Sequence, residues 1–595
     1  MYVKQTKQKN GRVSVSIMQS YWKEGSSRAR TIKGFGYLDE LEKDHKDALA
    51  YVQSICDELN AEDKEQNALV SLDINPHERI GRQGGEFKNL GCAIPLVHYN
   101  SLSIETTLRN RSRAHKFSYD PNAIMRLLIV ERIIAPSSKL SAWKRRDSYF
   151  FRTEFSDDDI YRTLGFFAEC KEAIISAMNK SIAKNYKRDL SNVFYDVTNY
   201  YFEIDENDED EIVEKGGTQK IIPGLRKQGK CKVNRRNPLV QMGLLQDRRG
   251  IPINFKVFPG NTPDSSTLLP ACKEVKDDLG LERIILVADK GLNSATNIAG
   301  LKAEGNGFIF SQSIRATKST EELRAWAISD SDWKESWDKE ENVAYKLKSR
   351  QSYKTIKVKG VDGTIKNVEV EVKEISFWSA KYAHRARHKR DEVIKRAKQL
   401  IDYPSKHTLA TSCGAAKYVH NLAFDKKTGE VIEKAGKKLS LDTKRIAQEE
   451  KLDGYYCIIT SETDMPDQEI LDTYKGLWRI EEAFKITKSC LSSRPTFVWK
   501  PEHIKAHFLT CYIALTIIRL IQVDTNYEFS AQAIIDEIAQ LNGVHLEGNW
   551  WRFYHQSKTS DILTKSVGLD LSKKNMQLKD IKNIFSKSVT KDKLH

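Results

Sequence analysis

Several features that would place this chain in a familiar class of protein are missing from its sequence. Its nine cysteines are scattered along 595 residues, with neither a Cys-x2-Cys pair nor the ligand spacing of a zinc finger. Cysteines placed in this way indicate reduced, mostly buried thiols in a cytosolic protein, and they argue against a disulfide framework. The sequence also lacks internal repeats and low-complexity tracts. At about 100–200 residues per domain, its length predicts three to five domains.

The sequence has little that would bind or cross a membrane. The N-terminal residues MYVKQTKQKNGR lack the apolar core of a signal peptide. The most hydrophobic run, Phe508–Ile521, is shorter than the roughly 20 residues that a membrane span needs, and it contains Arg519. We therefore expect a soluble protein in the cytoplasm, without a membrane partner.

What the chain has in excess is positive charge. Its 96 Lys and Arg residues against 81 Asp and Glu residues give a formal net charge of +15. The basic residues are spread among aromatic ones instead of lining one amphipathic helix. This distribution favours nucleic acid over a membrane surface as the polyanionic partner.

One acidic residue stands in a stretch that is otherwise typical of a buried strand. The stretch Asn192–Ile204, NVFYDVTNYYFEI, is rich in β-branched and aromatic residues and is apolar on both faces. It therefore predicts a central strand covered on both sides, with Asp196 in its middle. A carboxylate there must be paired, hydrogen-bonded or bound to a cation. A purely structural aspartate and a functional one fit this stretch equally well.

Two further acids follow elements that are also predicted to be buried. The short apolar run Ile284–Ala288 reads as a buried strand, and Asp289 follows it at the carboxyl end, where ligands bind in α/β sheets. A helix is expected to begin with Asp464 as its cap and Asp467 completing a capping-box-like pair, and to run to about Lys488.

The third acid lies within this helix. Glu481 interrupts an apolar stripe in which residues recur at three- and four-residue steps. Glu482 points about 100° away, towards the edge of the stripe, where a solvated carboxylate or a surface ion pair costs little. The members of the stripe are Ile470, Tyr474, Leu477, Trp478, Glu481, Phe484 and Lys488.

Three carboxylates on a strand centre, a strand end and a helix face suit a site for two Mg²⁺ ions. Mg²⁺ prefers carboxylate oxygens and keeps several waters, so few protein ligands are enough. Two such ions can activate an attacking oxygen and stabilise a leaving oxygen in phosphoryl transfer. Three spaced acids are a weak signal by themselves. His503 and His507, four residues apart, are a second conceivable metal pair, but no glutamate lies between them at the His-Glu-x2-His spacing.

The N-terminal residues predict a small sheet. Alternating runs at Tyr2–Thr6 and Arg12–Ile17 flank Asn10-Gly11, the strongest short signal for a β-hairpin. A third strand is expected at Arg30–Tyr37 and a helix at Glu40–Asn60. Further on, Asp120-Pro121 predicts a helix start, with Asp as the cap and Pro in the first turn.

Together these patterns predict an α/β protein whose core is split by an insertion. The helical region before the core is either a DNA-binding module or a plain helical bundle with a solvated basic face. The predicted regions are an N-terminal β-hairpin and helix (1–62), a helical DNA-binding region (63–190), the first part of the core (191–315), a β-rich and helical insertion (316–453), the second part of the core (454–525) and a helical C-terminal region (526–595).

Two regions carry further basic or aromatic side chains. A basic loop after the first core strand contains Lys230, Lys232 and Arg235, which we expect to bind DNA. The insertion is rich in lysine and contains a predicted hairpin, Thr355–Lys359 with Lys366–Val372, turning at Asp362-Gly363, and then a strongly basic helix at about 380–401. Its tryptophans are Trp326, Trp333, Trp337 and Trp378.

The motifs around the three acids resemble those of DDE transposases from bacterial insertion sequences, in the branch marked by a Tyr-x2-Arg-x3-Glu-x6-Lys helix. Tyr474, Glu481 and Lys488 match that spacing, whereas Leu477 takes the place of the arginine. The other similar segments, in family order, are YDVTNYYFE around Asp196, GKCKVNRRNPLVQMGLLQD, GIPI, PGNTPD, VADKGLNSATNI around Asp289, and YKGLWRIEEAFKITKSCLSSRP followed by HIKAHF. The likeness covers most of the chain.

The resemblance implies an RNase H-like core, interrupted by the insertion, and cut-and-paste transposition. Asp196, Asp289 and Glu481 would bind two Mg²⁺ ions, for which Mn²⁺ could substitute. A metal-bound water would cut the ends of the element to leave 3′-hydroxyls, which then attack target DNA. The implied partners are the terminal inverted repeats, the target DNA and a second copy of the chain, forming a homodimer in the DNA complex. The protein would work in the bacterial cytoplasm, on the nucleoid when bound to DNA.

The resemblance also implies residues that hold DNA. Lys488 and Tyr474 would bind the DNA backbone near the cut. Arg479 cannot replace the missing arginine, because it lies two residues and about 200° around the helix from Leu477. Arg494, just beyond the helix, is the better candidate. In related enzymes an aromatic residue of the insertion stacks on a flipped base, but for each of the four tryptophans a place in the core is the better interpretation.

Two alternatives remain open at this point. One is a metal-dependent nuclease that cuts DNA without joining it. The other is a DNA-binding regulator that derives from a transposase and has lost catalysis. The presence of all three acids argues against the second alternative.

Overall fold

The protein comprises two compact units, Met1–Arg82 and Gln83–His595. The structure, a computed structural model, describes residues 1–23, 26–66, 87–215, 218–230, 237–315, 321–338, 342–359, 364–408, 412, 414–424, 430–432 and 438–587.

The N-terminal unit is a three-stranded antiparallel sheet with two helices. Its elements are β1 (Tyr2–Lys7), β2 (Val13–Lys23), β3 (Ser26–Tyr37), α1 (Leu38–Asp44) and α2 (Ala48–Gln66). The sheet order β1-β2-β3 confirms the predicted hairpin and third strand. Gly11 has a φ of +79° in the hairpin turn, a conformation that glycine adopts without strain. The single predicted helix is divided at His45, which has an extended backbone.

A helical block opens the larger unit. Its elements are β4 (Phe87–Asn89), α3 (Ala93–Ser101), α4 (Ile104–Ser112), α5 (Pro121–Ile134), α6 (Lys139–Lys144), α7 (Asp157–Glu169) and α8 (Lys171–Tyr186). The side chain of Asp120 accepts a hydrogen bond from the Asn122 amide, and Pro121 occupies the first turn, which confirms the predicted start of α5.

The strands and helices that follow build the core of the larger unit. The strands are β5 (Asn192–Tyr201), β6 (Glu211–Lys215), β7 (Thr218–Ile222), β8 (Leu239–Gln246), β9 (Pro252–Pro259), β10 (Ile285–Ala288), β11 (Gly307–Gln312), β12 (Lys334–Asp338), β13 (Val343–Lys359), β14 (Ile365–Ser379), β15 (Val419–His420), β16 (Ala423–Phe424), β17 (Val431–Ile432), β18 (Ser440–Leu441) and β19 (Tyr455–Thr460). The helices are α9 (Leu268–Leu279), α10 (Ala295–Ala303), α11 (Glu321–Ile328), α12 (Ala380–Asp402), α13 (Thr443–Glu450), α14 (Asp467–Lys475), α15 (Trp478–Lys485), a π-helix (Ile486–Cys490) and α16 (Pro501–Asp524).

Nine of these strands form one mixed sheet in the order β12-β13-β14-β19-β11-β10-β5-β8-β9. The β10 strand runs parallel to both β5 and β11, and the other neighbours are antiparallel. As predicted, β5 is a central strand covered on both sides. Val193, Tyr195 and Val197 belong to one hydrophobic cluster, whereas Phe194 and Tyr200 belong to the other.

The predicted insertion, residues 316–453, contributes β12, β13 and β14 to this same sheet. The β14 strand pairs with β19 along one edge, and β11 pairs with β19 along the other. The predicted hairpin is therefore much longer than expected, pairing from Tyr345 with Ser379 to Lys359 with Ile365. The sequence did not indicate this length, because β13 is polar and rich in lysine. The predicted turn at Asp362-Gly363 lies outside the described residues.

The long apolar helix α16 is a core element. Pro501–Asp524 is long and apolar enough to span a membrane, but its apolar window is 100% buried inside the protein. It packs against α3, α5 and α7 of the helical block and against β9 of the sheet. The helix thus joins the two layers of one core.

The C-terminal region is not purely helical, contrary to the expectation. Three strands interrupt it, and with β4 they form a four-stranded sheet in the order β22-β21-β20-β4. The aromatic run at Trp550–Phe553 pairs well on a pleated surface, which explains the strand there. The elements are α17 (Ala531–Gln540), β20 (Asn542–His545), β21 (Trp550–Phe553), α18 (Lys558–Ser566), β22 (Asn575–Gln577) and α19 (Leu578–Lys587).

Candidate active site

Two of the predicted acids lie beside each other, Asp196 in β5 and Asp289 directly after β10, the parallel neighbour of β5. The register pairs Ile285 with Asn192 and Val287 with Phe194. Extending it by two residues brings Asp289 level with Asp196, and adjacent strands are about 4.8 Å apart. Both side chains point to the face of Phe194 and Val287, because side chains alternate along a strand. The topology therefore brings together two carboxylates that are far apart in the chain.

A third polar residue continues this row on the next strand. The parallel register between β10 and β11 pairs Val287 with Ile309, which places Ser311 level with Asp289. The Ser311 hydroxyl donates to Asp289 Oδ1 at 2.8 Å. Asp289 is exposed, and Asp196 is half-buried with its Oδ1 accepting from the Val197 amide at 2.7 Å. Ser311 was not predicted, and a lone serine in an apolar strand gave no signal for its role.

The helix that carries the third acid is divided into segments. The expected single helix from Asp464 to Lys488 is wrong: α14 begins after Pro466 with no side-chain cap, and the chain continues as α15 and the π-helix. Asp467 instead pairs with Lys373 Nζ at 2.7 Å and accepts from the Ser349 hydroxyl at 2.8 Å.

Gly476 lies at the division between α14 and α15 and permits their close approach to the sheet. A Cβ atom at this position would lie 2.8 Å from the ring of Phe194 on β5. As a result, α14 packs on β10 and β11, and α15 packs on β5. The two helices therefore cross the face that carries the row of Asp196, Asp289 and Ser311.

Tyr474 connects the helical segments to this row. Burial raises the pKa of its phenol, a hydrogen bond with Ser311 lowers it, and the carboxylates of Asp289 and Glu481 raise it again. Glu481 itself is exposed on α15, which packs on β5. The helix that carries the third acid therefore lies over the sheet beside the row.

The stripe predicted for this helix is only partly correct. Phe484 is buried and Leu477 packs against the core, but Trp478 is 52% exposed. Glu482 does not form a surface ion pair as expected. It pairs at 2.7 Å with Arg519, whose side chain is almost fully buried in α16. The predicted stripe therefore does not describe one apolar face across residues 476 and 477, where α14 has ended and α15 has not begun.

Two predicted cations lie along the second half of β5. The ammonium of Lys488 is hydrogen-bonded to the Thr198 hydroxyl and lies 5.7 Å from the ring centroid of Tyr200. The guanidinium of Arg494 lies 5.8 Å from the ring centroid of Tyr201. Both cations therefore flank the strand that bears Asp196.

The remaining positions considered as DNA contacts are Leu477, Arg479 and the basic loop. Leu477, at the position of the signature arginine, is half-buried against the core and brings no charge. Arg479 lies over Trp478, 4.9 Å from its ring centroid. The backbone carbonyl of exposed Lys230 accepts from Asn199 Nδ2 at 2.7 Å, which ties the basic loop to β5. Lys232 and Arg235 lie outside the described residues.

A cavity of about 440 Å³ opens beside Asp289. One wall comes from the sheet and from Tyr474, and the other comes from the basic helix α12. Three basic residues line this cavity: Lys290, Arg385 and Lys389. Among the described residues, none of the three forms an ion pair with a carboxylate. Its other charged or aromatic lining residues are Arg315, Tyr382, Arg390, Lys417, Tyr418, Glu449, Tyr455 and Tyr456. The basic helix was predicted from the sequence, but its place beside Asp289 was not.

The tryptophans of the predicted insertion are mostly packed against other side chains. The Lys348 ammonium lies 5.3 Å from the ring centroid of Trp326 and 4.5 Å from that of Trp333. The indole of Trp378 donates to the Asp453 carbonyl at 3.0 Å. Trp337, by contrast, is 55% exposed.

A separate acidic cluster lies on the surface away from the row. Glu172, Glu274 and Asp278 have carboxylate oxygens within 4.8 Å of one another, the one such group of three among the described residues. Lys171 and Lys256 donate to Glu274 at 3.4 Å and 2.6 Å. These two lysines already compensate much of its charge. The three predicted acids around β5 are not as close together as this cluster.

Comparison with known families gives two matches. The family described as "Transposase DDE domain" matches residues 219–517, a span that includes Asp289 and Glu481 and begins after Asp196. The family described as "IS1634 family transposase, N-terminal domain" matches residues 2–70. No curated protein matches the chain.

Proposed function

Because the chain belongs to the family of DDE transposases of insertion sequences, we propose that it cleaves the ends of its element and joins the 3′-hydroxyl ends to target DNA. The observation that carries this proposal is the register that places Asp289 level with Asp196. Glu481 lies on the helix that crosses the same face. The proposed reaction is phosphoryl transfer with two divalent ions.

The strand order supports the further proposal of an RNase H-like core. Strands β9, β8 and β5 form an antiparallel meander, and β10 and β11 continue the sheet in parallel. In chain order, Asp196 lies in the first strand of this set, β5, and Asp289 follows the fourth, β10. The helix with Glu481 follows after the chain returns through β19. We propose residues 191–315 and 454–525 as the two parts of this core.

The residues around the row fit a hard divalent cation. All three donors are carboxylates, which Mg²⁺ prefers, and Mn²⁺ accepts the same ligands. Asp196, Asp289 and Glu481 would hold the ions, which when bound activate a water and stabilise the leaving oxygen. Ser311 fixes the orientation of Asp289 by its hydrogen bond, and an oriented ligand binds metal more tightly.

The cations near the row would hold the DNA backbone. Lys488 binds Thr198, two residues from Asp196 on the same face of β5, and Arg494 lies near Tyr201 at the end of the strand. Tyr474 can donate its hydroxyl to a phosphate, because its raised pKa keeps the phenol protonated. The basic loop with Lys230, and with Lys232 and Arg235 by sequence, would extend this contact.

The cavity beside Asp289 would accommodate a DNA strand that leaves the row. Arg385 and Lys389 on α12 can bind phosphates, and the exposed face of Tyr456 can stack on a base. Stacking on aromatic rings and charge pairing with phosphates together suit single-stranded nucleic acid. The proposed partners are therefore the terminal repeats and target DNA, bound by a homodimer in the bacterial cytoplasm.

The test is a strand-transfer assay. Purified protein is mixed with Mg²⁺, with DNA that carries the inverted repeats flanking its gene, and with a supercoiled target. We expect 3′ ends to be cut and joined to the target, and we expect Asp196→Asn and Asp289→Asn to abolish both steps. Asp278→Asn, in the surface cluster, is the matched control and should stay active. Cutting without joining would identify a nuclease, and activity in either row variant would overturn the assignment.

A further inference from the structure

The chain leaves the catalytic helices through a short turn, Leu491–Arg494, which we name the exit turn. Ser492 in this turn has a φ of +40°, in the left-handed region that side chains other than glycine rarely adopt. Such a backbone conformation costs free energy and persists only where surrounding contacts hold it. The contacts that hold it come from the helical block and from α16.

Arg132 of α5 binds two successive carbonyls of the exit turn. Its Nη1 donates to Leu491 O and to Ser492 O, both at 3.2 Å, and its Nη2 donates to Ser137 O at 3.3 Å. Arg132 is buried, and a buried guanidinium is costly unless its donors are used. Here Nη1 and Nη2 are directed at backbone oxygens, two of which flank the strained residue.

His507 of α16 binds the third carbonyl. Its Nε2 lies 3.1 Å from Ser493 O, and its Nδ1 lies 2.9 Å from Lys139 Nζ. A carbonyl only accepts, so Nε2 carries the proton, and Nδ1 of the neutral ring accepts from Lys139 Nζ. Burial, then Lys139 and then Arg132 hold the pKa of His507 well below its usual range, which agrees with a neutral ring.

Hydrogen bonds also connect the exit turn to the residues that are predicted to contact DNA. The Ser493 hydroxyl and amide donate to Thr487 O at 2.7 Å and 3.0 Å. The hydroxyl of Thr487 lies 3.0 Å from the Tyr200 hydroxyl on β5. Lys488 is the next residue in the chain, and Arg494 is the last residue of the turn. The position of the turn therefore sets the position of both cations.

We propose that Arg132 and His507 are positioning residues for DNA binding, which hold the exit turn so that Lys488 and Arg494 reach the phosphates beside Asp196. This proposal rests on the proposed function, because it takes these two cations as DNA contacts. Neither Arg132 nor His507 would touch DNA. The turn is held by groups from two separate helices, α5 and α16, so the helical block and the catalytic helices are coupled at this point.

The first test measures the turn without DNA. Hydrogen exchange followed by mass spectrometry reports the opening of local backbone hydrogen bonds. In Arg132→Lys and in His507→Leu, we expect the amides of residues 486–496 to exchange at least about tenfold faster, with other core peptides unchanged. His507→Gln keeps an N–H donor and should restore slow exchange. Unchanged exchange in the turn would overturn the proposal, and so would equal acceleration throughout the protein, which indicates a purely structural role.

The matched control is Arg188→Lys. Arg188 is also a buried arginine that donates to backbone carbonyls, with Nη2 3.1 Å from Ile251 O, but it lies away from the exit turn. Its loss should accelerate exchange near Ile251 and leave residues 486–496 unchanged. Acceleration of the turn in this control would mean that the turn responds to any core damage.

The second test measures the link to DNA by a double-mutant cycle. Arg132→Lys should weaken binding to the ends of the element by about tenfold in the wild-type background, but by less than about twofold when Lys488 and Arg494 are already alanine. Equal losses in both backgrounds would overturn the positioning role. A wild-type protein that does not bind the ends would instead refute the proposed function, and the exchange result would remain interpretable by itself.

Discussion

Glu482 on α15 accepts a hydrogen bond from Arg519 Nη1 at 2.7 Å, although the arginine is buried in the middle of α16. The same guanidinium donates to Gln522 Oε1 and to Arg479 O, each at 2.9 Å. Without a carboxylate partner this buried charge would be costly. The two adjacent glutamates therefore have different surroundings: Glu482 pairs with a buried arginine, whereas Glu481 is exposed.

The first prediction separates these two glutamates. Glu481→Gln should stop DNA cleavage and leave the melting temperature within about 1 °C of wild type, because an exposed carboxylate adds little stability. Glu482→Gln should keep cleavage activity at low temperature but lower the melting temperature by several degrees, consistent with about 1–3 kcal/mol lost from a half-buried charged pair. Parallel cleavage and melting measurements decide between the two roles. The reverse result would show that Glu482 is the metal ligand.

The second prediction concerns Ser311. Ser311→Ala removes the hydrogen bond that orients Asp289 but leaves all three carboxylates in place. We expect the Mg²⁺ concentration for half-maximal cleavage to rise by about 10-fold or more, with near-normal rates at saturating Mg²⁺. Ser313→Ala, two residues on, is the control. An unchanged Mg²⁺ requirement in Ser311→Ala would show that this hydroxyl does not support the site.

The third prediction uses the buried amine of Lys139. Burial, with a smaller contribution from Arg132, lowers the pKa of Lys139 from 10.5 to about 7. Between these values the unfolded chain holds a proton that the folded protein lacks, so stability rises with pH over this interval. The slope is at most about 1.4 kcal/mol per pH unit.

Lys139→Met should remove this slope. The melting temperature of wild type minus that of the variant should therefore increase steadily from pH 7 to pH 9. The comparison cancels contributions from the other titrating groups, which both proteins share. A constant difference across this range would mean that Lys139 keeps its ordinary pKa in the folded protein.

The fourth prediction concerns the basic helix α12. Changing Arg385 and Lys389 together to alanine should weaken DNA binding and reduce the slope of log affinity against log salt by about 2, because two phosphate contacts are lost. Arg396 and Lys398 are exposed on the same helix but do not line the cavity. Their double alanine variant should retain the wild-type slope. Equal slopes for both double variants would place the DNA elsewhere.

The fifth prediction concerns the N-terminal unit. A fragment of residues 1–82 should fold by itself, because its sheet and helices enclose a core formed by Val15, Ile17, Val52 and Cys56. A fragment of residues 1–190 should not fold completely, because α3, α5 and α7 share their core with α16. Circular dichroism and thermal melting check both. Cooperative melting of the helical block in the longer fragment would show that it does not need α16.

Sequence patterns were sufficient to predict the two buried strands beside the acids Asp196 and Asp289. The buried character of β5 and β10 was visible because both are short runs of apolar and β-branched residues. The alignment of Asp196 with Asp289 was not visible, since it depends on β10 running parallel beside β5, and only the resemblance to a family suggested it. The same kind of register brings Ser311 to Asp289, and nothing in the sequence around Ser311 indicates this position.

Helix periodicity was less reliable around Glu481. The stripe from Ile470 to Lys488 fits one straight helix, so the pattern hides the division at Gly476. The packing at this glycine is tertiary: the ring of Phe194 occupies the space that a side chain at position 476 would need. The pairing of Glu482 likewise depends on α16, which supplies Arg519.

The pairing of β11 with β19 has a consequence for how such a protein can diversify. The chain passes from Gln312 at the end of β11 to Tyr455 at the start of β19 on the neighbouring strand, and the segment between them adds β12, β13 and β14 beyond β19 in the same sheet. The parts of this segment outside those three strands can therefore be lengthened, shortened or exchanged during evolution without altering the order of the strands next to Asp196 and Asp289. Since α12 is one of those parts, the DNA contacts proposed for it can evolve separately from the three acids.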